Sequence, residues 1–145
     1  MADELGAGGS SDFSELLDLS MPASSESIAT ITAAISEILE RIEIPEQKRL
    51  EIDLAVQEAL ANAVVHGCEG DPTKTITCKL NRDHQGRVVI SVTDPGPGFR
   101  PEVVPDPQRS EGLHADHGRG VYLIRQLMDE VQFERGGAEI KMWKY

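Results

Sequence analysis

The run Val88-Val89-Ile90-Ser91-Val92-Thr93, followed at once by Asp94-Pro95-Gly96-Pro97-Gly98-Phe99, constrains this chain more than any other stretch. A β-branched run of this length predicts a buried strand. The prolines and glycines directly after it forbid its continuation. A carboxylate at a strand's exit can accept a hydrogen bond from an exocyclic amine on a planar ring, and glycines beside it let the backbone come within contact distance of that ring. The same residues also suit an ordinary tight turn, and turn chemistry alone does not separate the two readings.

Other elements are set around this strand. Phe13 to Met21 forms a strand limited by Pro22, and Ser24 or Ser25 then caps a helix. Ile28, Ile31, Ile35, Ile38, Leu39 and Ile42 recur at steps of three and four, so that helix is amphipathic and ends before Pro45. A second helix runs from about Pro45 to Gly67, with Gly67 as its C-cap. Strands Thr75 to Leu80 and Arg87 to Thr93 flank a hairpin loop at 81–86. Residues 100–117 hold Pro101, Pro105 and Pro107 without periodicity, which predicts a long functional loop. A helix from about Gly118 to Met128 follows, and strands Val131 to Arg135 and Glu139 to Lys144 close a hairpin over Gly136-Gly137. Strands that pair mostly as hairpins, with helices early and late, predict an α+β fold. It is a two-layer sandwich: a mixed, mostly antiparallel sheet with helices on one face.

At 145 residues and 39% hydrophobic, the chain suits a single domain over 13–145. Asp3, Glu4 and Asp12, among Gly6, Gly8, Gly9, Ser10 and Ser11, predict a disordered acidic tail over 1–12. The net charge of −11 argues against direct binding to nucleic acid or an anionic membrane and favours a basic protein partner. With no long apolar span and no secretory pattern, the expectation is a cytoplasmic protein. Its two cysteines, Cys68 and Cys78, are then reduced thiols. Neither His66 with Cys68 nor His114 with His117 supplies the three or four ligands of a zinc site, and no P-loop pattern is present.

Chemistry concentrates at three places in order. Along the second helix Glu51, Glu58, Asn62 and His66 return to one stripe, with alanines beside Asn62 that leave room for a ligand. Glu51 reads as solvated helix surface. Together Glu58-x-x-x-Asn62, Asp94-x-Gly96-x-Gly98 and Gly118-x-Gly120 resemble the N, G1 and G2 boxes of the GHKL (histidine kinase-like) ATPases. With the small size and the stretch Gly118-Arg119-Gly120-Val121-Tyr122-Leu123-Ile124-Arg125-Gln126-Leu127-Met128, the chain looks most like the anti-sigma-factor serine/threonine kinases of the RsbW and SpoIIAB type, from roughly Leu16 to Tyr145.

That resemblance implies ATP and Mg²⁺. Asn62 would place its amide oxygen on the magnesium, a hard ion that prefers oxygen ligands. Glu58 would be the catalytic base, and a base is needed by a hydroxyl acceptor but not by an imidazole. Asp94 would recognise adenine, with Gly96 and Gly98 allowing the close turn and Phe99 anchoring the loop's exit. His66 falls with the nucleotide-binding residues. Gly118 and Gly120 would offer backbone amides to phosphates at a helix N-terminus, with Arg119 as a cation between them. The loop over 100–117 would be a lid. The family's partners are a sigma factor, which it sequesters, and a STAS-domain anti-anti-sigma protein, which it phosphorylates, and its members are typically homodimers. The alternative is a non-catalytic ATP-binding interaction module. This chain departs from the family by Asp116-His117, where relatives carry a lid arginine, and by Gly136-Gly137-Ala138, where relatives have a threonine near adenine.

Overall fold

Among the described residues five strands form one sheet in the order β1-β2-β3-β5-β4, where β1 is Phe13–Pro22, β2 Thr75–Asp83, β3 Val88–Thr93, β4 Glu130–Glu134 and β5 Glu139–Lys144. The computed structural model describes residues 13–96 and 115–145, so the expected tail over 1–12 and most of the expected lid lie outside the described residues. Where a mixed sheet was expected, all four pairings are antiparallel. The reason is topological. After β3 the chain returns through a helix to lay down β4 in the same direction, and β5 then slots between the two, antiparallel to both.

One face of the sheet carries the core. Ile76, Cys78 and Leu80 of β2, Val88, Ile90 and Val92 of β3, and Ile140 and Met142 of β5 are buried at alternate positions. Their neighbours Thr75 and Lys79 are exposed on the other face, where Ser20 and Thr77 share a hydrogen bond of 2.9 Å. The strand periodicity thus decides which face the helices cover.

Helix α1 (Ser25–Arg41) begins where Ser24, in extended backbone, accepts the Ser27 N–H at 3.2 Å. Its buried Ile31, Ile35 and Leu39 are spaced by four and lie against the sheet. Helix α2 (Glu46–Asn62) buries Ile52, Ala55, Val56, Ala59 and Leu60. Small side chains at 55, 59 and 63 let this helix lie close to the strands.

Several expected boundaries move. Strand β2 continues to Asp83 rather than stopping at Leu80, because the Asp83 carboxylate organises the turn. It accepts the backbone N–H groups of Gln85 at 3.0 Å and Arg87 at 2.8 Å, and pairs with Arg87 Nε at 2.6 Å. Helix α3 (Ala115–Leu127) starts three residues before Gly118, so Gly118 and Gly120 lie inside it rather than ahead of it. Glu51 is not a purely solvated residue. Lys144, 8% exposed at the end of β5, reaches its Oε1 at 2.7 Å and donates to the Leu127 carbonyl at 2.5 Å, tying β5 to both α2 and α3.

Candidate functional site

The end of α2 is wound differently from its body. Residues Ala63–Gly67 form a π-turn, in which the Cys68 N–H reaches back five residues to the Ala63 carbonyl at 2.8 Å. Such wide turns are frequent at functional sites because they re-aim the side chains that follow. The turn carries Asn62 at its start and His66 near its end. The chain then leaves through left-handed backbone at Glu69 and Gly70, with φ of 56° and 72°. Gly67 is therefore not the capping residue the sequence predicts.

Gly67 has a different job. An ideal Cβ built on it would overlap the Asp94 carboxyl group, so only glycine admits that carboxyl against the helix end. Asp94 follows β3, and its own N–H is held by the Ala138 carbonyl at 3.0 Å. The Gly96 N–H donates to Asp94 Oδ1 at 2.7 Å. A Cβ on Gly96 would in turn collide with the Gly67 carbonyl oxygen. Two glycines thus clamp one carboxylate. Burial pushes the Asp94 pKa up from its ordinary value, while the Gly96 N–H and the nearby positive charge of Arg135 pull the other way.

A pocket opens beside this carboxylate, between α2 and the sheet. Its lining is Ala59, Asn62, Ala63, His66 and Gly67 from the helix and turn, Val92 and Asp94 from β3, and Phe133, Gly137, Ala138 and Ile140 from the terminal hairpin. Its empty space, open mouth included, is about 500 Å³. The walls are mostly apolar, with Asp94 as a single carboxylate among them. That suits a flat heterocycle carrying an amine donor. Arg125 lies 5.4 Å from the centre of the Phe133 ring, over its face.

Glu58 and Asn62 stand one helical turn apart, and Gly120 of α3 faces both. A Cβ on Gly120 would lie 3.1 Å from Asn62 Nδ2 and from Glu58 Oε1, and 3.3 Å from Asn62 Oδ1. Gly120 is needed there for close approach, not for a turn. Residues placed in one neighbourhood are therefore Glu58, Asn62, His66, Asp94, Gly96 and Gly120. Gly118 and Arg119 lie in α3, while Gly98 and Phe99 fall outside the described residues. Sequence reasoning missed Gly67 and Phe133 as pocket residues. The close packing behind Gly67 joins positions 27 residues apart, which no local pattern encodes. The described residues contain no cluster of three or more His, Cys, Asp or Glu arranged to hold a metal.

A two-layer sandwich with an apolar pocket between its long helix and an antiparallel sheet, and a clamped carboxylate at a strand exit, is the layout of one class of ATPase domain. The model of the histidine kinase-like ATPase domain matches residues 21–144, and the chain belongs to that family. Within it the chain is similar to serine-protein kinase RsbW. Identity is 30% with the protein of Halalkalibacterium halodurans, covering 90% of this chain and 83% of the relative. It is 25% with that of Bacillus subtilis, covering 90% and 86%. Two solved structures share the fold. The RsbU and RsbW domains of a Mycobacterium tuberculosis protein match with a TM-score of 0.60 at 20% identity, over 89% of this chain and 32% of that longer one. The histidine kinase domain of a blue-light activated kinase from Erythrobacter litoralis gives 0.56 at 22%, over 95% and 70%.

Proposed function

We propose that this chain is an ATP-dependent serine/threonine protein kinase that works as an anti-sigma factor. The observation that carries the reading is a carboxylate, Asp94, clamped by Gly67 and Gly96 beside a pocket that also reaches Asn62, with Glu58 one turn back along the same helix. Asp94 accepts the exocyclic amine of adenine, and the pocket's apolar walls hold the ring. The triphosphate then runs toward Asn62 and α3.

The residues fit a divalent ion in chemistry. Asn62 offers a neutral amide oxygen, suited to Mg²⁺ sharing the site with phosphate oxygens, and Gly120 keeps side-chain bulk away from it. When bound, the ion neutralises charge on the phosphates. Glu58 supplies what the metal does not. As the acceptor hydroxyl oxygen bonds to the γ-phosphorus, the bond to the β,γ-bridging oxygen breaks, ADP leaves, and the hydroxyl proton passes to the Glu58 carboxylate.

The relatives' name, serine-protein kinase, and the presence of an acid at position 58 support a hydroxyl acceptor over an imidazole. The acceptor is a STAS-domain anti-anti-sigma protein, and the second partner is a sigma factor, whose basic nucleic-acid-binding faces suit a surface of net charge −11. The working unit is a cytoplasmic homodimer of one ATPase domain over 13–145. A second reading has its own support: Asp116-His117 replaces the lid arginine, which favours a module that binds ATP without transferring phosphate.

Glu58→Gln separates the two. It keeps shape and hydrogen-bonding reach but removes the base, so transfer to a STAS-domain protein should fall by about 10²- to 10⁴-fold while ATP affinity holds. Asn62→Ala should lower Mg²⁺-dependent binding and transfer together. Transfer by Glu58→Gln at the wild-type rate refutes the base. A wild-type protein that leaves ATP intact with every STAS-domain partner supports the non-catalytic module.

A further inference from the structure

The turn that joins β4 to β5 places an arginine in left-handed backbone. Arg135, Gly136 and Gly137 all have positive φ, of 56°, 68° and 99°. Glycine adopts such angles without steric cost, and in mirror-image hairpin turns the first of two left-handed positions is ordinarily Asn, Asp or Gly. An arginine carries a penalty there that the shape of the turn does not require, and strain of this kind persists where the residue has a second use. The turn is also bonded to the candidate site. The Arg135 carbonyl accepts the Ala138 N–H at 3.2 Å, and the Ala138 carbonyl accepts the Asp94 N–H at 3.0 Å. Gly137 and Ala138 form part of the pocket wall. The other cations of this hairpin are occupied, Lys141 by Glu134 at 3.7 Å and Lys144 by Glu51 at 2.7 Å. Arg135 is exposed, and among the described residues its guanidinium makes no hydrogen bond or ion pair.

We propose that Arg135 is a positioning residue of this pocket: the left-handed turn keeps its cation beside the Asp94 carboxylate as a counter-charge, so that the carboxylate remains an acceptor for a ligand's amine. The inference deepens the nucleotide reading and rests on it for the ligand. Asp94 needs such a partner. Burial favours its protonated form, and protonation turns one of its oxygens into a donor, which opposes an amine. The Gly96 N–H supports the charged form from one side, and the positive charge of Arg135 supports it from the hairpin. The other titratable groups around the carboxylate are His66 in the pocket wall and Cys68 at the end of the π-turn, with Lys74 and Asp71 beyond it. In the neighbouring strands Glu139 lies opposite Thr93, and Glu134 lies opposite Glu139.

Two substitutions test this. Arg135→Asn removes the charge and suits left-handed backbone, whereas Arg135→Lys keeps the charge. In ligand-free protein labelled with carbon-13 at its Asp carboxyls, the Asp94 resonance, identified by its loss in Asp94→Asn, should titrate at higher pH in Arg135→Asn than in wild type. Arg135→Lys should return it toward the wild-type position. Adenosine, which carries no phosphate, is the binding probe. As pH falls from about 8 to about 5, its affinity should drop earlier in Arg135→Asn and end about two- to fivefold below wild type, as for a partly exposed charge pair. The melting temperature of Arg135→Asn at pH 8 should not fall. An Asp94 titration unmoved by Arg135→Asn, alone or with a moved His66, overturns the proposal, and the nucleotide reading stands if wild type binds adenosine. An affinity loss of equal size at both ends of the pH range also overturns it, assigning Arg135 to direct ligand contact. Wild-type protein that binds neither adenosine nor ADP with Mg²⁺ refutes the nucleotide reading, and the role of Arg135 falls with it.

Discussion

Gly67→Ala is a one-methyl test of how the Asp94 carboxylate, proposed to bind adenine, is held. The new Cβ would lie 2.5 Å from Asp94 Oδ1 and nearer still to Cγ and Oδ2. Asp94 has little room to yield, because its N–H is fixed to Ala138 at 3.0 Å and its Oδ1 to the Gly96 N–H at 2.7 Å. The carboxyl must rotate away from the base. A hydrogen bond to a charged group is worth about 1.5–3 kcal/mol, so ADP affinity should fall about 10- to 150-fold. Stability changes less. Overpacking costs about 1–3 kcal/mol, and replacing glycine in a helical turn returns up to about 1 kcal/mol. Calorimetric titration with ADP and Mg²⁺, beside a thermal melt followed by circular dichroism, reads both. Gly70→Ala is the contrast: its Cβ meets nothing within 4 Å, but φ of +72° strains an alanine by about 1 kcal/mol. It should lower the melting temperature and leave affinity alone. Wild-type affinity in folded Gly67→Ala refutes the clamp, and so does an equal loss in Gly70→Ala.

Two further outcomes follow from buried groups. Asp53 on α2 is desolvated, with Ser36 donating to its carboxylate while Oδ1 lacks a partner, and burial pushes its pKa up. The native state then holds that proton more tightly than the unfolded chain, so its contribution to stability declines as pH rises from the unfolded value through the folded one. Asp53→Asn should therefore raise the melting temperature at neutral pH relative to wild type, with the gap closing toward pH 4; a constant gap across that range refutes the assignment. Cys68 and Cys78 are both fully buried, and burial pushes the Cys78 thiol up to about 12. Neither should react with a disulfide reagent in native protein at pH 8, and rapid labelling without unfolding would contradict the packing.

Much of the fold is legible in the sequence because its signals are local. The Ile31, Ile35 and Leu39 spacing, the β-branched run at 88–93 and the Gly136-Gly137 turn each specify an element without help from the rest of the chain. The π-turn is not legible. Ala63 to Gly67 continues a helical pattern, and one extra residue per turn leaves no mark in hydrophobic spacing over five positions. Gly67 and Gly120 carry the same lesson: punctuation rules assign them to helix ends, whereas each is required by a side chain from another element. Asp83 lengthens β2 through bonds that turn statistics do not anticipate. Glu58 and Asn62 lie together through helical spacing, and it is the resemblance of Glu58-x-x-x-Asn62 to an N box that singles them out.

The strand order has a consequence for how the protein comes into being. β5, the last described element to leave the ribosome, is an interior strand, flanked by β3 and β4. Until it is made, β3 has a bare edge and β4 has no strand neighbour at all. The pocket is equally incomplete, since Ile140 of β5 forms part of its wall. A nascent chain arrested before Glu139 holds Asp94 and Ala138 but lacks the strand that pairs with β3 and carries Ile140. Closure of the pocket wall and completion of the sheet thereby depend on the same strand.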